Sequence, residues 1–188
     1  MRLLLSTKFL IIAFTLFSSM YTYAQEGKYI TKNGTINFEA SVEAFEPVKA
    51  KHKNVTALLN TANGELASLA LVRGFRFKVA LMEEHFNENY MESDTYSKAT
   101  FKGKLKDFSL SILKEESTDF VLEGKLTLHG KTKELKTIGK VSKKGDIIYM
   151  TSSFKVRPEE FAITIPKVVS KKISEVILIS LDFELKKR

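Results

Sequence analysis

Cysteine is absent from all 188 residues. That excludes a disulfide framework, a thiolate metal site and a cysteine nucleophile, and it removes the acceptor thiol of a bacterial lipoprotein. Stability must come from packing and strand pairing, which a chain of this length supplies without staples. Histidine occurs only as His52, His85 and His129, in separate segments and without the His-Glu-x-x-His spacing of a zinc hydrolase. Glu84, His85 and Glu88 can meet on one predicted helix and hold a cation, but a solvated helix face is the reading taken. There is no Gly-x-Ser-x-Gly elbow and no phosphate-cradling glycine loop, so acyl transfer and nucleotide chemistry have no motif to rest on. The carboxylate pairs Glu83, Glu84 and Glu115, Glu116 are sequence neighbours, which splays them apart instead of opposing them as acid and base. No catalytic residue and no metal ligand is assigned, and a non-enzyme is expected.

Long apolar runs are scarce as well. The one at the start, residues 9–17, follows Arg2 and Lys8 and precedes Thr22, Tyr23 and Ala24, the pattern of a secretory signal peptide over residues 1–24. It is short for a membrane span, and no second run of spanning length follows. A soluble, exported domain over residues 25–188 is expected, periplasmic or secreted, of a size that builds one core. The net charge of +8 includes Arg2 and Lys8, so loss of the leader leaves +6. The lysines are spread along alternating stretches, as on a solvated sheet face. No basic cluster is interleaved with aromatics, so nucleic acid is not an expected partner, whereas transient contact with an anionic membrane surface is compatible with the charge.

What the sequence has in abundance is alternation. Ile36, Phe38, Ala40 and Val42 alternate with polar residues after a predicted turn at Asn33 and Gly34, and residues 48–54 read as a polar, solvated loop. Asn63 and Gly64 are a hairpin signal between two apolar runs, residues 55–60 and 65–72. Phe75, Phe77 and Val79 share a face, as do Ala99, Phe101, Gly103 and Leu105, and then Leu122, Gly124, Leu126 and Leu128 up to a break at Gly130. A further hairpin is predicted around residues 143–145. Ile148, Met150, Phe154 and Val156 follow, until Pro158 ends the strand and Pro166 marks an irregular loop over residues 163–169. The last strand, residues 176–185, turns Ile177, Ile179, Leu181, Phe183 and Leu185 inward. One segment departs from this period: over residues 80–94, Met82, Phe86 and Tyr90 recur every four residues, which predicts a short helix.

About eight strands with one helical insertion imply an all-β fold, an antiparallel barrel or sandwich. Closure removes the sheet edges that invite aggregation, and an eight-stranded bore is either filled by side chains or holds one small ligand. Strand parity fits both outcomes.

Three motifs carry a family resemblance. They are Leu81-Met-Glu-Glu-His-Phe-Asn-Glu-Asn-Tyr-Met-Glu-Ser-Asp94 leading into Lys98-Ala-Thr-Phe-Lys-Gly103, then Gly124-Lys-Leu-Thr-Leu-His-Gly-Lys-Thr-Lys133, then Phe154-Lys-Val-Arg-Pro-Glu-Glu-Phe161. In order and spacing the chain resembles the YceI family, the polyisoprenoid-binding, lipocalin-like proteins of the bacterial periplasm. The resemblance implies an antiparallel lipocalin-like β-barrel that needs no cofactor and holds an apolar long-chain lipid, an isoprenoid or an isoprenoid quinone. A homodimer is compatible with it. The lining expected from strand parity is Phe75, Phe77, Phe101, Leu126, Leu128, Met150, Phe154, Ile179, Leu181 and Phe183, with the helix closing one end through Phe86 and Tyr90. The alternative is an exported barrel with a filled core that works through its basic surface on an anionic membrane, polymer or partner protein.

Overall fold

A computed structural model describes residues 27–188. The predicted leader over residues 1–24 lies outside the described residues. Among the described residues nine strands form: β1 Lys28–Glu39, β2 Lys49–Asn60, β3 Glu65–Leu71, β4 Arg76–Phe77, β5 Lys98–Leu105, β6 Thr118–Leu128, β7 Lys131–Lys144, β8 Ile147–Val156 and β9 Ile177–Lys187. All pair antiparallel, in the order β1-β9-β8-β7-β6-β5-β3-β2, and β1 pairs again with β2. That last pairing closes an eight-stranded barrel, with β4 as a two-residue stub on β2. The expected all-β barrel with a short helical insertion is therefore the observed fold. Its helix α1, Ala80–His85, runs into a π-helical turn at Phe86–Tyr90, and a second short helix, α2, is Lys167–Ser170.

Two local expectations fail for the same reason. Asn33 and Gly34 do not turn the chain; they lie inside β1, where the register with β2 shifts on both sides of Gly34. Residues 49–54 are not a solvated loop but the first half of β2. A turn pair and a lysine-rich run were outweighed by barrel closure, because β1 and β2 hydrogen-bond to each other along almost their whole lengths. The bulge has a packing role. A Cβ at Gly34 would stand 2.6 Å from the ring of Phe183, so only a bare backbone lets that side chain lie against β1. Residues 163–169, read as a loop, end in the first turn of α2.

The two ends of the barrel differ. Antiparallel order sends the connections at residues 61–64, 106–117 and 145–146 to one end. The connections at residues 40–48, 72–97, 129–130 and 157–176 go to the other. At the first end the bore is full: Val55, Leu59, Leu105, Leu122, Val141, Ile148, Met150 and Leu185 are all buried. The 106–117 connection caps it, with Phe108, Leu110 and Leu113 packed on this core and the Phe108 and Phe120 rings 5.5 Å apart.

His52 shows what the misread stretch does. Its side chain is only 3% exposed. The ring stands edge-on to Phe75 at 5.3 Å, and Nδ1 accepts the Asn54 backbone N–H at 3.0 Å. Burial pushes its pKa below the ordinary 6.5, and the Arg76 charge adds to this. The Leu71 backbone pulls the other way. The folded state thus refuses a proton that the unfolded chain accepts. Stability attributable to His52 is full above pH 6.5 and is lost as pH falls below it toward the lowered folded value. Urea titrations are expected to show a stability loss of up to about 1.4 kcal/mol per pH unit in that window, ahead of the carboxylates, and the untitratable variant His52→Phe is expected to abolish it.

Candidate functional site

At the second end the bore is hollow. A cavity of about 440 Å³ lies between the barrel wall and the long connections, within the range of small-ligand sites. Its wall comes from the ends of the strands that meet there: Ile36 and Phe38 of β1, Ser68 and Ala70 of β3, Phe101 of β5, Leu126 and Leu128 of β6, Phe154 and Val156 of β8, and Ile177, Ile179, Leu181 and Phe183 of β9. Side chains of one parity point into the bore on every strand, so alternation alone creates this apolar surface.

Of the twelve residues expected to line a site, eleven border this cavity: Phe75, Phe77, Phe86, Tyr90, Phe101, Leu126, Leu128, Phe154, Ile179, Leu181 and Phe183. Met150 does not. It has the right parity but sits at the start of β8, in the full end, with no exposed surface. Parity fixes which way a side chain points; its height along the strand decides whether it meets a void or the packed core.

The cover of the hollow end is aromatic. Phe86, at the start of the π-helical turn, stacks on Phe38 with centroids 5.3 Å apart and meets Phe77 at 5.1 Å and Phe75 at 5.8 Å. Phe38 also contacts Phe75 at 5.7 Å and Phe77 at 5.4 Å. Such ring pairs contribute about 0.5–1.5 kcal/mol each beyond the area they bury. Met82 and His85 of α1 and Tyr90 border the cavity as well. Arg76 and Glu83 tie α1 to the stub β4 by an ion pair at 2.8 Å, and the other Glu83 oxygen accepts the Phe77 backbone N–H at 3.1 Å.

A second buried cluster joins two of the covering connections. Val72 and Met91 pack against Phe161 and Ile163, with Tyr90, Leu128 and Ile165 around them. His129, 7% exposed, fastens a third connection to the same place: its Nδ1–H donates to the Phe161 carbonyl at 3.0 Å, and its ring meets Tyr96 at 4.3 Å. Its Nε2 faces the Glu92 carboxylate at 3.4 Å. His129 and Gly130 both take positive φ, 48° and 70°, as a two-residue hairpin of the twist-matching kind requires.

Polar groups in the lining are few. Ser68 and Thr100 are the hydroxyls within the strand wall; Tyr90, His85, Glu46 and Lys172 come from the connections, the last three exposed at the mouth. One carboxylate and one ammonium give the mouth charges of both signs. Among the described residues no group of three or more His, Asp or Glu converges as a metal site, so Glu84, His85 and Glu88 do not form one. Phe45, Leu81 and Val168 stand exposed on three connections of this same end, at 41%, 56% and 87%.

The lining missed by sequence reasoning includes Phe38, Phe161, Ile163 and Ile165. Phe38 already stood on the inner parity of its strand. Phe161, at the end of the segment that breaks β8, alternates with Ile163 and Ile165 in the predicted loop, and that period was a usable sign of a segment packed on one side.

A family model described as a YceI-like domain matches residues 13–185. Curated proteins give no match. Among solved structures, a polyisoprenoid-binding domain from Saccharophagus degradans implicated in plant cell wall breakdown superposes with a TM-score of 0.73 at 15% identity, covering 86% of this chain and 98% of that one. BcnA of Burkholderia cenocepacia gives 0.65 at 14% identity, covering 81% and 95%. A YceI protein of Campylobacter jejuni gives 0.57 at 15%, covering 77% and 86%. At these identities the likeness is one of fold.

The contrast between the two ends is open to measurement. Met150→Ala, in the full end, is expected to cost about 2–5 kcal/mol in chemical denaturation. Phe154→Ala, on the cavity wall, removes a larger side chain yet is expected to cost less, because its ring already has a void on one side. Equal or reversed losses would contradict a hollow second end.

Proposed function

The chain belongs to the family of YceI-like domains, and on that footing we propose that it is a non-catalytic carrier of an apolar lipid, an isoprenoid chain or isoprenoid quinone, held in the hollow end of the barrel. The observation that carries this reading is the cavity itself: a void of about 440 Å³ walled by aliphatic and aromatic side chains in a barrel whose other end is packed solid. A void of that lining is dry unless an apolar molecule fills it. Each methylene transferred from water into it is worth about 0.8 kcal/mol, so a chain binds tightly without directional contacts. The likeness in fold to a domain described as polyisoprenoid-binding supports the same ligand class.

Chemistry is not part of the reading. Ser68 has neither a base nor an acid beside it in the lining, and His85, Glu46 and Lys172 stand at the solvent-exposed rim. These groups suit a polar head left at the mouth. Phe45, Leu81 and Val168, exposed around the same end, suit brief contact with the membrane surface from which a lipid would be collected. An exported, periplasmic location agrees with such a task.

Protein purified under native conditions from an exporting host is expected to release an apolar compound on solvent extraction, identified by mass spectrometry, and to take up isoprenoid lipid after delipidation. Leu126→Trp, which places bulk in the void, is expected to reduce uptake at least about tenfold with a stability change under roughly 1 kcal/mol. Empty extracts together with no uptake by delipidated protein would overturn the carrier reading.

A further inference from the structure

The inner limit of the cavity is built from two rings that lie flat on bare backbone. Gly103 and Gly124 face each other across β5 and β6, both on the inward parity. A Cβ on Gly103 would stand 2.4 Å from the Phe101 ring, and one on Gly124 would stand 2.8 Å from it. The ring of Phe101 is therefore folded over this glycine pair, down the barrel toward the full end. Phe183 does the same across the bore, where a Cβ on Gly34 would meet its ring at 2.6 Å. Both rings border the cavity, and both belong to the packed core beneath it.

Below them the bore has no passage. Leu105, Val141, Ile148, Met150 and Leu185 show no exposed surface. A ligand chain entering from the mouth meets its floor at Phe101 and Phe183, with Leu66 and Leu122 beside them. The cavity above them, about 440 Å³, therefore has a finite depth.

Resting on the carrier reading, we propose that this floor makes the protein selective for chain length, with room for a single apolar tail down to the floor and none beyond it. A longer chain leaves its excess in water at the mouth and gains nothing from it. Phe101 is the specificity-determining residue. The glycine pair decides how deep its ring can lie, and Ser68, its register partner on β3, keeps the space above the ring open.

The test is a set of prenols that lengthen by whole isoprene units, geraniol, farnesol, geranylgeraniol and solanesol, titrated into delipidated protein against a fluorescent apolar probe. Affinity is expected to rise at least about tenfold from geraniol to farnesol and to level off before solanesol. Phe101→Ala lowers the floor and is expected to move the plateau out to a longer prenol. Ser68→Leu, which adds bulk to an open space and leaves the packed core alone, is expected to bring it back to a shorter prenol. Affinity that climbs through to solanesol, or a plateau that neither variant moves, overturns the length limit while leaving lipid binding in place. Binding of none of the four overturns the carrier reading and the length limit together.

Discussion

Closure of the sheet is the constraint on which the rest of the structure depends. β1 hydrogen-bonds to both β2 and β9, so no edge is left and the barrel has a fixed girth. Within that girth every inward side chain competes for one bore. Large residues at one height fill it, and glycine, alanine and serine at another leave it open. Leu105, Leu122, Val141, Ile148, Met150 and Leu185 supply the first condition, while Ser68, Ala70 and Ala99 help supply the second. Gly34, Gly103 and Gly124 mark the level where one gives way to the other, because they let Phe183 and Phe101 lie down as a partition.

Antiparallel order then separates the tasks of the connections. Those at the full end are short or fold back as a cap, as residues 106–117 do through Phe108, Leu110 and Leu113. The long ones, residues 72–97 and 157–176, fall at the hollow end, where they cover a void instead of sealing a core. Their cover is held by a few defined contacts: the stacked Phe86 and Phe38, the Val72, Met91 and Phe161 cluster, and the His129 bond to the Phe161 carbonyl. None of these is an exposed ion pair of the kind that contributes little. The cover is therefore apolar on its inner side as well, and a ligand meets the same chemistry on wall and lid.

Alternation made the strands, the hairpin at Asn63 and Gly64, and the inward parity of nine cavity residues legible from the chain alone, because a strand with one buried face must repeat every two residues. The helical segment was legible by its different period. Three things were not. The β1–β2 pairing overrode a turn signal at Asn33 and Gly34 and a polar run ending at Asn54, since long-range closure outranks local preference. His52 was hidden for the same reason: its burial depends on the 72–74 turn that covers it, not on its lysine neighbours. The height of the cavity floor was invisible as well. Met150 and Phe154 share a face and differ only in which end of the barrel they occupy, and that is settled by the connections, not by the strand.

The central claim, an apolar molecule in the hollow end, is tested most directly by a crystal structure of the protein purified without delipidation. The account predicts continuous density for one extended chain that passes Phe154 and Leu126 beneath Phe86 and ends at the Phe101 ring, with any polar head near Lys172 and Glu46. A hollow end collapsed by inward movement of residues 72–97, or occupied by ordered water, would contradict it.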